Sequence, residues 1–155
     1  MDKIVFITGA SSGIGAGCAR KFASQGASLI LNARNVNKLS ALKEELEKQY
    51  GAKIYLLPFD VRDRKAATSA LESLPKEWQS IDILVNNAGL VIGTDKEQEG
   101  SLDEWDIVID TNIKALLAMT RLIVPGMVER KRGHIINIGS IAGDAAYPGG
   151  RSEEH

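Results

Sequence analysis

Short, almost wholly apolar runs alternate along the chain with longer stretches in which apolar residues recur every three or four positions. The runs Lys3 to Ile7, Ser28 to Leu31, Lys53 to Leu57, Ile81 to Val85 and His134 to Ile138 are rich in β-branched side chains and read as buried strands. The first four begin about 25 to 30 residues apart, the spacing of a strand followed by a crossover helix. Between them, Ile14, Cys18, Ala19, Phe22 and Ala23 share one helical face, with Gly26 as a stop. Val36, Leu39, Leu42 and Leu46 form a second stripe, with Gly51 beyond it, and Asp63 to Leu74 a third, closed by Pro75. Ser101 and Glu104 fit a capping box opening a long fourth helix toward Arg130, with Pro125 predicted to kink or break it. Residues Gly139 to His155 lack a period and read as loop. Strands alternating with helices predict an α/β fold, a doubly wound parallel sheet covered on both faces.

Composition narrows the class. The 155 residues suit a single core. Nineteen Lys and Arg against 20 Asp and Glu leave a formal charge of −1, which argues against nucleic-acid and membrane-surface partners. The basic run Arg130-Lys131-Arg132 fits a helix C-terminus, where cations complement the dipole. No apolar run reaches transmembrane length, and the N-terminus lacks a signal-peptide pattern. The lone Cys18 cannot form an internal disulfide and lies on an apolar stripe, so a small buried side chain and a reducing, cytoplasmic setting are expected. His134 and His155 have no partners at metal-ligand spacing, so no metal is expected. Trp78 and Trp105 read as packing residues and Asp95 to Glu104 as a solvated acidic loop.

The turn after the first strand carries more specific chemistry. Thr8-Gly9-Ala10-Ser11-Ser12-Gly13-Ile14-Gly15 must bend a strand sharply into a helix. Glycines there let a diphosphate approach the backbone, and the helix N-terminal amides point at the anion. A tight turn alone also wants glycine; the placement after the first strand of a βαβ unit favours phosphate binding. Dinucleotide folds that use NAD place Asp or Glu at the end of the second strand to hold the ribose hydroxyls. Here that strand ends Asn32-Ala33-Arg34, without a carboxylate. A guanidinium suits a 2′-phosphate, so NADP is favoured over NAD, against the alternative that Arg34 is a solvated loop cation.

Four further segments bring a resemblance. Phe59-Asp60-Val61 follows the third strand, Asn86-Asn87-Ala88-Gly89 follows the fourth, Asn112 sits in the long helix, and Asn137-Ile138-Gly139-Ser140 ends the fifth. With the TGxxxGxG turn, the chain resembles the classical short-chain dehydrogenase/reductase family from Lys3 to Gly150. Its closer texture is similar to the NADP-dependent 3-hydroxy acid and serine dehydrogenase branch. The resemblance implies a Rossmann fold and an oxidoreductase moving hydride between NADP(H) and the hydroxyl or carbonyl carbon of a small substrate, such as a 3-hydroxy acid. It implies that Gly9, Ser11, Ser12, Gly13, Ile14 and Gly15 hold the phosphates and that Asp60 contacts the adenine amino group beside the Val61 backbone. Asn87, Ala88 and Gly89 would lie against the adenosine ribose and steady the central strands. Ser140 would polarise the substrate carbonyl, and the Asn112 backbone carbonyl would hold a water of the proton relay.

The resemblance also has a gap. The family carries Tyr-x-x-x-Lys with the tyrosine thirteen positions after the serine; Glu153 stands there, and the lysine position falls beyond His155. Tyr147, seven residues after Ser140, is misplaced to substitute. Losing a positioned acid/base costs about 10²- to 10⁴-fold in rate, so weak or absent turnover is expected of these 155 residues. The expectation is therefore a dinucleotide-binding domain over residues 1–150, five strands of a sheet that has seven in the family, with a divergent tail at 151–155. A shift of reading frame or a shortened chain would produce that pattern. Three readings follow: an oxidoreductase, a binding module that holds NADP(H) without chemistry, and a truncation product without independent function. The family forms homo-oligomers, and its usual dimer helix comes after the position of Gly150.

Overall fold

The computed structural model describes residues 1–11, 13–87 and 102–138, the side chains of 104 and 105 excepted. The strands are β1 (Ile4–Ile7), β2 (Ser28–Leu31), β3 (Ile54–Leu56), β4 (Ile83–Asn86) and β5 (His134–Asn137). All pairings are parallel, in the spatial order β3-β2-β1-β4-β5. The chain thus starts at the middle of the sheet, winds outward through β2 and β3, then returns to β4 and continues outward on the other side. Reversal between β1 and β4 creates a crevice beyond the strands' C-terminal ends, where open α/β sheets bind ligands.

Each strand has apolar residues on both faces, as a sheet buried on both sides requires. Val5, Ile7, Leu29, Leu31, Ile83 and Val85 point into one core, with Ala16, Ala19 and Ala23 of α1 (Gly13–Ser24) and Leu39, Leu42 and Leu46 of α2 (Val36–Tyr50). Phe6, Ile30 and Leu84 point the other way, onto Ala67 of α3 (Arg64–Glu72), Trp78 of a short 3-10 turn, and Ala115, Met119, Ile123 and Met127. The last four belong to α5 (Ala115–Arg130), which is continuous with α4 (Leu102–Ile109) through a π turn at Asp110–Lys114.

Several sequence expectations are corrected. Ile14 and Val36, assigned to apolar faces, are 62% and 50% exposed, because each lies in the first turn of its helix, beyond the ends of the strands it would pack on. Cys18 is half-buried at the margin of the core rather than inside it. Pro125 does not break the helix: α5 runs through it, and Pro125 sits on the exposed side, where the carbonyl freed by its missing N–H meets water. The loop expected over Asp95 to Glu104 is corrected at its end, where Leu102 to Glu104 already form the first turn of α4; its part up to residue 101, the Ser101–Glu104 capping contact, the Trp105 side chain and everything from Gly139 to His155 lie outside the described residues. Among the described residues no helix is long and apolar enough to cross a membrane.

Candidate functional site

At the base of the sheet, away from the crevice, the Asp82, Arg130 and Arg132 side chains are already paired. The Asp82 carboxylate accepts the Ile4 N–H at 2.9 Å and meets Arg132 Nε at 2.7 Å, while Arg130 donates to the Ile81 carbonyl. The recess of about 390 Å³ beside them is lined by this clip together with Asp2, Lys3, Ser28 and Ser80.

The C-terminal edge is different. The segment after β1 turns through Gly9 at φ 61° into α1, which opens at Gly13 with φ 58°. A Cβ at Gly13 would be strained by that φ, yet among the described residues nothing lies within 4 Å of where it would point. Gly15 is constrained by contact instead: a Cβ there would run into the Gly9 carbonyl oxygen and the Asn87 amide. Asn87 fixes the turn from the β4 side, its Nδ2 donating to Gly9 O at 3.0 Å and its backbone N–H to Thr8 Oγ1 at 3.0 Å. The TGxxxGxG spacing therefore produces a turn locked from below by Asn87, with no described residue against Gly13 on its other side. No acidic residue occupies the first turn of α1 or of α2, so both helix N-termini keep their positive potential.

The exits of β2 and β3 complete the edge. Asn32, 1% exposed, accepts Ala10 N–H on its backbone carbonyl at 2.8 Å, and its side-chain amide donates to Leu57 O and Phe59 O, both at 3.1 Å. One buried residue thus ties the glycine turn, through its backbone carbonyl, to the path toward Asp60, through its side-chain amide. Beyond it Ser11, Arg34, Asn35 and Lys38 line an open recess of about 520 Å³. Asn35 caps α2, its Oδ1 accepting Lys38 N–H at 3.1 Å, and so aims the helix N-terminus at the same place. Among the described residues neither the Arg34 guanidinium nor the Lys38 ammonium is taken up by an ion pair or hydrogen bond. The recess carries two cations and no carboxylate.

Asp60 lies at the β3 exit with its charge engaged. Its Oδ1 accepts Arg62 N–H at 2.9 Å and Nε at 3.1 Å; its Oδ2 accepts Arg62 Nη2 at 2.7 Å. This pairing holds the Asp60 carboxyl below the ordinary carboxylate range and raises Arg62, with Arg34 acting on Asp60 from farther away. Val61 is buried in the core under this turn. Asn112 falls in the π turn, where Ala115 N–H bonds Asp110 O five residues back. Such turns re-aim backbone carbonyls out of the α-helical register and recur at functional sites.

Of the residues predicted from sequence, Gly9, Ser11, Gly13, Ile14, Gly15, Arg34, Asp60, Val61 and Asn87 gather along this edge. Asn112 stands on the helix covering the far side of the β4 end. Ser12, Ala88, Gly89 and Ser140 lie outside the described residues. Three contributors escaped the sequence reading: Lys38, Arg62 and Asn32. Lys38 carried a readable signal, since it lies one turn after a capped helix start that follows Arg34.

Comparison with known proteins places this geometry. The chain is 49% identical over 147 residues to an NADP-dependent 3-hydroxy acid dehydrogenase of Escherichia coli, covering 95% of itself and 58% of that relative. The closed form of a serine dehydrogenase complexed with NADP+ superimposes with a TM-score of 0.86 at 48% identity, over 95% of this chain and 58% of the other. A 3-oxoacyl-acyl-carrier-protein reductase from Brucella melitensis with bound NAD is similar at a TM-score of 0.89 and 31% identity, over 98% and 58% of the two chains. The chain thus spans under two thirds of the length of these relatives. Their bound nucleotides also differ, so fold similarity alone does not select the cofactor. Residues 3–152 match the short chain dehydrogenase family throughout, and the chain belongs to that family.

Proposed function

We propose that this chain supplies the NADP-holding part of an oxidoreductase that moves hydride between NADP(H) and the hydroxyl or carbonyl carbon of a small polar substrate of the 3-hydroxy acid class, in the cytoplasm. The observation that carries the reading is the recess lined by Ser11, Arg34, Asn35 and Lys38. Two cations and a helix N-terminus suit a phosphate dianion, whereas a ribose hydroxyl would want a carboxylate acceptor. The residues present fit the dinucleotide: the open side of Gly13 leaves space for a diphosphate beside the α1 N-terminus.

In this reading Gly9, Ser11, Ser12, Gly13, Ile14 and Gly15 surround the diphosphate and Arg34 with Lys38 meets the 2′-phosphate. Asp60 and the Val61 backbone face the adenine, and Asn87, Ala88 and Gly89 flank the ribose. The bound dinucleotide supplies the hydride donor or acceptor. Ser140 donates a hydrogen bond to the substrate carbonyl oxygen, and Asn112 orients a water for proton transfer through its backbone carbonyl. A second reading, binding without turnover by these 155 residues, is favoured by Glu153 standing thirteen positions after Ser140, where the family carries the tyrosine that serves as its acid/base.

Titration with NADPH and with NADH, followed by quenching of tryptophan fluorescence, tests the proposal. Saturable quenching with tighter NADPH binding is expected. Arg34→Ala should weaken NADPH by about 1.5–3 kcal/mol, the range for hydrogen bonds to a charged group, while leaving NADH unchanged. Equal affinity for the two nucleotides, or no saturation with either, would overturn it. Substrate oxidation assayed on the same protein separates the two readings.

A further inference from the structure

The Asp60 carboxylate presents a difficulty for a 2′-phosphate held nearby. β2 and β3 pair in register at Leu31 and Leu56, and the Asn32 side chain binds two carbonyls, Leu57 O and Phe59 O, of the segment that leaves β3. The segments leading to Arg34 and to Asp60 therefore leave the sheet side by side. A bare carboxylate there would repel a phosphate dianion and draw off part of the Arg34 charge. Arg62 removes that difficulty by geometry. Its backbone N–H, Nε and Nη2 all donate to Asp60, the shortest at 2.7 Å, and occupy both oxygens. Of the neighbouring charges, Asp110 acts on Arg62 only from a distance, and is itself bridged by Lys114 at 3.0 Å. Arg62 is thus left to Asp60 and lines no part of the phosphate recess.

We infer that Arg62 is a positioning residue for cofactor choice: by pairing with the Asp60 carboxylate it cancels a charge that would otherwise oppose a 2′-phosphate beside Arg34. This inference rests on the proposed NADP reading. It makes the preference for a phosphorylated adenosine depend on a residue that does not touch the phosphate.

The probes are 2′,5′-ADP and 5′-AMP, which differ by that phosphate alone, titrated calorimetrically into the wild type, Arg62→Met, Arg62→Lys, Asp60→Asn and the double variant Asp60→Asn with Arg62→Met. The affinity ratio of the two nucleotides should fall about tenfold in Arg62→Met, the size of an uncompensated charge at short range in a partly solvated site. In the Asp60→Asn background the same change should alter the ratio by less than about twofold, because no carboxylate remains to be cancelled. Arg62→Lys, which keeps the charge, should retain more of the ratio than Arg62→Met, and Arg62→Gln, expected to show the same fall, stands in if the Met variant does not fold. An equal fall in both backgrounds overturns the inference, since Arg62 would then act on the phosphate as a cation in its own right. An unchanged ratio in Arg62→Met overturns it as well, while a high wild-type ratio leaves the NADP reading intact. A wild-type ratio near one removes the 2′-phosphate site, and the role of Arg62 with it.

Discussion

At Gly15 the chain has no room for a methyl group, since the Gly9 carbonyl and the Asn87 amide already occupy the space. Gly15→Ala should therefore cost about 1–3 kcal/mol, the range for overpacking a well-packed contact. It should also weaken dinucleotide binding by displacing the turn. Denaturant melting and NADPH titration of the variant measure both; unchanged values would mean that the helix start is not clamped as described. Gly15 was legible because a glycine at that spacing after a strand has few other uses. Asn32 was not. Its value comes from carbonyls 25 and 27 residues away, on a strand that only the folded sheet brings alongside. The same holds for Arg62, two residues from Asp60 in sequence, where nothing local foretells that the turn will bend the guanidinium back onto the carboxylate.

Among the elements, the strands were read nearly to the residue because a sheet buried on both faces demands continuous apolar runs, and few other structures do. Helix stripes were read correctly in their middles and missed at their first turns. Ile14 and Val36 keep the helical period but overhang the sheet edge, at the end where the crevice opens. The π turn at Asp110–Lys114 left no mark, as neither glycine nor proline lies within it. The start of α2 is where element and site meet, because Asn35 both caps the helix and lines the recess. Asn35→Ala should cost about 1 kcal/mol of stability, the usual value of such a cap. Asn35→Asp should keep the cap but place a carboxylate in the recess, lowering NADPH affinity while melting stays near the wild type. Stability and affinity falling together in Asn35→Asp would contradict that division.

On the scale of the whole molecule, the winding order decides where a ligand can bind. Starting at β1 and reversing at β4 puts the glycine turn, the β2 exit and the β3 exit on one edge, with the Asp82–Arg132 clip on the other. Fold class and the glycine turn into α1 were readable because both depend on local order along the chain. The charge arrangement of the Arg34 recess was read only through Arg34 and the missing carboxylate; Lys38, one turn into α2, was within reach of the sequence, whereas the turn that bends Arg62 back onto Asp60 was not. At 155 residues the chain suits amide-resolved NMR, and the most direct measurement is a titration of NADP+ followed residue by residue. Saturable shifts should appear at Gly9, Ser11, Gly13, Arg34, Asn35 and Lys38, sharing one affinity, with Lys3, Arg130 and Arg132 at the opposite edge unmoved. Shifts confined to the Asp82 edge, or none that saturate at the glycine turn and the Arg34 recess, would contradict the account.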